Sequence, residues 1–139
     1  MDQNLIAEKI ESLRRCVQRV QTKCPPTPEE LMEDPDLQDI ISLNLTRAVQ
    51  LCVDIAVHIL ADLEVKPPDT MGAAFDALMS AQIISTDLAV RLKKAVGFRN
   101  IAIHNYEEID WAIVHSIAAT RLADFSEFAR VIALRLDQA

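Results

Sequence analysis

The chain has 139 residues and half of them are apolar, which suits a single domain over 1–139 and leaves little room for two. Only two glycines occur, Gly72 and Gly97, and aromatic residues are 4%, so sandwiches, barrels and Rossmann-type phosphate loops lack the turn and strand residues they need and an all-α bundle remains. The formal charge of −7 argues against a nucleic-acid partner only if it is evenly spread, because phosphate responds to the local field.

In chain order, Ile6, Ile10, Leu13, Val17 and Val20 alternate spacings of four and three, drawing one apolar stripe along an amphipathic helix over residues 3 to 23. The run Cys24-Pro25-Pro26-Thr27-Pro28 stops it, since proline removes a donor and bars its predecessor from helical geometry. A connecting region follows whose acids Glu29, Glu30, Glu33, Asp34, Asp36 and Asp39 face no base before Arg47. It reads as a solvated loop or as a contact for a basic partner surface. From Asp36 to about Leu63 the apolar positions predict a long central helix with a broad buried face.

Lys66-Pro67-Pro68 ends that helix, and Asp69 or Thr70 can cap a shorter one holding Phe75, Leu78 and Met79. Ser85-Thr86-Asp87 offers the next N-cap, for a fourth helix running to about His104. After Glu107, Glu108 and Asp110, acids suited to a helix start, Ile113, Val114, Ile117, Leu122, Phe125, Phe128, Ile132 and Leu136 predict one long fifth helix. The expected architecture is an up-and-down bundle of about five helices.

Cys16, Cys24 and Cys52 are odd in number and form no C-x-x-C pair, so they read as reduced thiols. The charged segment MDQNLIAEKIESLRR is unlike a signal peptide, and no uninterrupted apolar run reaches membrane-span length, so a soluble cytoplasmic protein without a membrane partner is expected.

The charge divides unevenly. Residues 88 to 104 contain Arg91, Lys93, Lys94 and Arg99 and no acid, a segment of +4, and residues 1 to 23 are +2. At a Debye length of about 8 Å a phosphate ligand responds to this helix more than to the total. Arg91, Lys93 and Lys94 are therefore candidates for attracting nucleic-acid phosphate, or simply a solvated face.

The stretch Phe98-Arg99-Asn100-Ile101-Ala102-Ile103-His104-Asn105-Tyr106 concentrates the chemistry. Arg99 offers a permanent cation with a planar donor fork, and a histidine such as His104 can exchange a proton near neutral pH. Those are the groups that metal-free phosphodiester cleavage needs: a base for the ribose 2′-hydroxyl, an acid for the 5′-oxygen and a cation for the phosphoryl oxygens. On a helix Asn100 and His104 share a face, whereas Arg99 and His104 diverge by about 140°, so Arg99 converges on the same site only if the helix bends or ends or a second protomer contributes. Gly97, unfavourable in a helix interior, suggests close approach of backbone or ligand, or a packing need.

The spacing Arg99-x4-His104 resembles the R-x4-6-H motif of the HEPN superfamily of small helical bundles. With Tyr106 added, it is similar to the HepT toxins, the RNase halves of toxin–antitoxin modules paired with MntA-type minimal nucleotidyltransferases. The resemblance implies an endoribonuclease that uses no metal or cofactor and acts as a two-fold homodimer with motif residues of both subunits at a shared cleft. It further implies that Arg99 and His104 are catalytic, that Asn100 orients His104 or the phosphate, and that the partner silences the enzyme by adding AMP to Tyr106. Two His104 side chains across a two-fold axis can divide the roles of acid and base. The alternative is a non-catalytic helical module that binds nucleotide or serves a nucleotidyltransferase. His58 and His115 read as helix-face or packing residues, and the acids after Tyr106 as helix-start residues.

Overall fold

The computed structural model describes residues 2–138, and among them every regular element is helical. Helix α1 (Gln3–Lys23) begins at Asp2, whose carboxylate accepts from the Leu5 amide, and ends at Cys24, ahead of the prolines. A short α2 (Pro28–Met32), capped by Thr27, occupies part of the acidic connection expected to be a loop. Pro28 stands in its first turn, where a missing N–H costs nothing, and Glu29 and Glu30 suit its N-terminus.

Helix α3 (Pro35–Asp62) starts at Asp34, whose Oδ1 accepts from both the Asp36 and Leu37 amides. It is the central element as expected, packing on α1, α4 (Met71–Ser80) and α5 (Thr86–His104). Length and composition alone would let α3 cross a membrane; its apolar residues instead face the other helices, with Ile41, Leu45, Cys52, Ile55 and Ile59 among those buried. Thr70 and Ser85 cap α4 and α5 through their hydroxyls. Both α3 and α4 are followed by non-glycine residues at positive φ, Glu64 and Gln82, each 59°, and the next amide in each case returns to a helical carbonyl.

The predicted fifth helix is two: α6 (Trp111–Thr120) and α7 (Leu122–Asp137). The core-facing positions Val114, Ala118, Leu122 and Phe125 keep helical spacing across the break, which falls at Thr120–Arg121, and α6 packs on α2 while α7 packs on α1 and α5. Thr120 Oγ1 donates to the Ser116 carbonyl at 2.7 Å, a contact that bends helices. The core is continuous through all of these helices, with Phe75 of α4 meeting Phe128 of α7 edge to face at 6.1 Å. Cys16 and Cys52 are buried as free thiols, and burial pushes both upward in pKa.

Candidate active site

The fully buried residues of helix α5, Leu88, Ala89, Leu92 and Val96, lie in its first three turns, and farther along Phe98 and Ala102 are only partly covered by the core. Beyond Val96 none of its residues is buried, and the last two turns run along the edge of the bundle. The helix ends at His104, because Asn105 adopts φ −142° and ψ 53° while its amide still reaches Ile101 O. A 3₁₀ turn (Tyr106–Glu108) and the buried Ile109 then lead to Asp110, which caps α6 through the Ala112 amide.

Arg99 is half-buried in this edge. One guanidinium nitrogen donates to Oε1 of Gln50 on α3 and another to Oδ1 of Asn100, both at 3.3 Å. Its Nε is buried and makes no hydrogen bond among the described residues. Both acceptors are neutral amides, and no carboxylate forms an ion pair with Arg99 among the described residues, so the cation keeps its charge for an incoming anion. His104 is exposed at the end of α5, and among the described residues nothing hydrogen-bonds it. Helical spacing lets Asn100 reach His104, yet its amide oxygen turns to Arg99.

The other basic residues of α5 differ from the sequence expectation. Arg91 donates to Asp124 at 2.5 Å and to Glu127 at 3.1 Å, so it ties α5 to α7 and its charge is matched twice over. Lys93 pairs with Asp76 of α4 at 3.1 Å. A run of four cations looks like one basic field in sequence, but neighbouring helices supply carboxylates to two of them. Lys94, exposed beside Gly97, remains with Arg99.

Tyr106 is two-fifths exposed and firmly oriented. Its hydroxyl donates to Asp39 Oδ1 at 2.6 Å, and its ring meets Trp111 edge to face at 5.8 Å. Desolvation and then the Asp39 carboxylate raise its pKa above the ordinary 10.0, opposed in part by Ser42. Sequence reasoning missed both Gln50 and Asp39. Each lies on α3, far from the motif in sequence, and nothing in their spacing links them to α5. His58 is exposed on α3, and His115 bonds the Pro25 carbonyl at 2.7 Å, the helix-face and packing roles expected of them. Glu107 and Glu108 lie in the 3₁₀ turn, and among the described residues neither forms an ion pair with Arg99.

Next to this edge lies an apolar groove of about 510 Å³ between α5, α6 and α7. It is lined by Gly97, Phe98, Ile101, Ile113 and Ile117, with Ile101 44% and Ile113 58% exposed. A Cβ built on Gly97 would meet nothing within 4 Å, so packing inside this chain does not account for the glycine.

A family model described as Ribonuclease HepT-like matches residues 6–132. The chain is 36% identical over 129 residues to the mRNA nuclease HepT of Shewanella oneidensis, a match covering 93% of this chain and 96% of that protein. It is 30% identical over 96 residues to the tRNA nuclease HepT of Aphanizomenon flos-aquae, covering 68% of this chain and 65% of that one. Its fold superposes with a TM-score of 0.88 on the tri-AMPylated Shewanella oneidensis HEPN toxin in complex with MNT antitoxin, at 35% identity over 96% of this chain and 98% of that chain.

Proposed function

From the premise that the chain belongs to the HepT-like ribonuclease family, we propose that it is the toxin of a toxin–antitoxin module, an endoribonuclease silenced when a partner minimal nucleotidyltransferase adds AMP to Tyr106. The observation that carries this reading is the uncompensated Arg99, held by Gln50 and Asn100 at the end of a helix that terminates in an exposed His104. In the proposed reaction His104 removes the proton from the ribose 2′-hydroxyl and the resulting oxygen attacks the adjacent phosphorus. Arg99 stabilises the charge that develops on the phosphoryl oxygens, and the departing 5′-oxygen takes a proton. Asn100 keeps the guanidinium in place. These groups supply base, acid and cation, so the reaction proposed needs no metal ion.

One histidine per chain serves poorly as acid and base at once, and a two-fold homodimer solves this by bringing a second His104 to the cleft. The apolar groove beside α5 supports that assembly: its exposed isoleucines need a cover, and the open space at Gly97 suits close approach of a second backbone. All of 1–139 acts as one HEPN-like domain in this reading, and Lys94 adds long-range attraction for RNA. An adenylate on Tyr106 brings bulk and negative charge next to Arg99 and His104 in sequence and so excludes the substrate phosphate. The proposed compartment is the cytoplasm, where RNA and the nucleoside triphosphate are both present.

The test is RNA cleavage by the purified chain in EDTA, with Arg99→Ala and His104→Ala alongside. Cleavage by wild type and its loss in both variants are expected. Intact RNA with wild type, or cleavage by both variants at the wild-type rate, rules the mechanism out.

A further inference from the structure

Modification of a phenol needs more than an accessible hydroxyl. A neutral phenol is a weak nucleophile, and Tyr106 is neutral at physiological pH as any phenol is, with burial and its carboxylate neighbour pushing its pKa further up. The proton must therefore leave as the new bond forms, and the structure already contains an acceptor in contact with it. Asp39 Oδ1 lies 2.6 Å from the Tyr106 hydroxyl, although 67 residues separate the two in sequence. Trp111 meets the ring edge to face, so the hydrogen bond and the ring contact together give the oxygen a defined direction. Among the described residues no cation forms an ion pair with Asp39, and it is exposed, so it can pass a proton on to water.

We propose that Asp39 is the general base for modification of Tyr106, an assignment that rests on the reading of Tyr106 as the AMP acceptor. As Tyr106 Oη bonds to the α-phosphorus of a nucleoside triphosphate held by the partner enzyme, the bond from that phosphorus to the bridging oxygen breaks and pyrophosphate leaves. The phenol proton moves to Asp39 and then to solvent. The same geometry serves protein kinases, in which an aspartate accepts the proton of the attacking substrate hydroxyl. The difference is that here the acceptor substrate brings its own base.

The bland alternative is that the hydrogen bond only fastens the 3₁₀ turn to α3. Asp39→Asn distinguishes the two, because an amide oxygen can accept the same hydrogen bond and cannot take the proton. The measurement is the initial rate of AMP addition to the full chain, by intact mass, with the partner nucleotidyltransferase, Mg²⁺ and ATP, across a range of pH. Asp39→Glu and Tyr106→Phe run in parallel, and circular dichroism checks the fold.

Removing a general base should slow addition by at least about tenfold at neutral pH. The deficit should shrink as pH rises and the phenol ionises unaided, and Asp39→Glu should recover part of the rate. Asp39 from α3 is the charged group in contact with the phenol, α6 presents the uncharged Trp111, and the titratable groups beside Tyr106 along its own chain are His104, Glu107 and Glu108, so Asp39 is the group the substitution tests. Wild-type rates in Asp39→Asn, or a deficit that stays constant with pH, overturn the assignment and leave Tyr106 as acceptor. Undiminished addition to Tyr106→Phe removes the underlying reading and the base with it.

Discussion

Gln50 on α3 holds the guanidinium of Arg99 on α5, with its amide oxygen 3.3 Å from Arg99. The same amide donates through Nε2 to Asp54 at 2.9 Å, which fixes which end faces the arginine, and Asp54 in turn lies 3.7 Å from Lys9. The arrangement positions a cation without neutralising it. Gln50→Glu should therefore be more damaging than its size suggests, since it places a carboxylate against Arg99 and competes with the substrate phosphate. The expected outcome is a loss of about tenfold or more in single-turnover RNA cleavage with the fold intact. Equal cleavage by Gln50→Glu and wild type would show that Arg99 does not need its free charge.

Arg91 tests the opposite case. Its two carboxylate partners join α5 to α7, and Asp124 is itself buried. Arg91→Met removes one side of a partly buried network and leaves Asp124 without its counter-ion. The loss should be about 1–3 kcal/mol of stability, read by urea denaturation. Arg99→Met should cost little stability and abolish cleavage. A stable Arg91→Met variant whose RNA affinity alone falls would return Arg91 to the role of RNA attraction that the sequence suggested.

These contrasts mark how far the sequence was legible. The apolar stripes and capping residues located α1, α3, α4 and α5 because helix periodicity and N-caps are local signals. The bend at Thr120–Arg121 was not legible, because Val114, Ala118, Leu122 and Phe125 keep helical spacing through it and only the different helices that α6 and α7 pack on separate the two. The motif residues Arg99, Asn100, His104 and Tyr106 sit together because one helix end delivers them. Their supports, Gln50 and Asp39, come from α3 and depend on how two helices cross. The fate of the four cations was hidden for the same reason, since Asp76, Asp124 and Glu127 approach α5 only through packing.

Tyr106 can be followed directly, because no other tyrosine contributes to the phenolate absorbance. Desolvation and Asp39 favour the protonated form, so the titration midpoint of the folded chain should lie above the ordinary 10.0. The sign for stability follows from that direction. A pKa raised in the folded state gives stabilisation that is complete at neutral pH and is lost as pH rises through the folded value. Asp39→Asn should move the midpoint down by removing the adjacent negative charge. A midpoint that ignores this substitution would mean that the hydrogen bond is not kept in solution.

Gly97 separates the chain's own stability from its assembly. Inside a helix a glycine is less favourable than alanine by roughly 0.5–1 kcal/mol, and at this position a methyl group would enter open space. Within one chain Gly97→Ala should therefore stabilise the fold by about that amount, measured on the dilute monomer. Assembly through the groove should respond in the other direction, because the added Cβ stands where a second α5 is expected to approach. Gly97→Gln, with a longer side chain on the same face, should weaken association further, and Ile113→Glu should do so from the opposite wall of the groove. Sedimentation across a concentration series measures the association, and RNA cleavage should fall with the dimer fraction if the two copies of His104 share one cleft. A chain that cleaves equally well at concentrations where it sediments as a monomer would assign the whole reaction to one protomer.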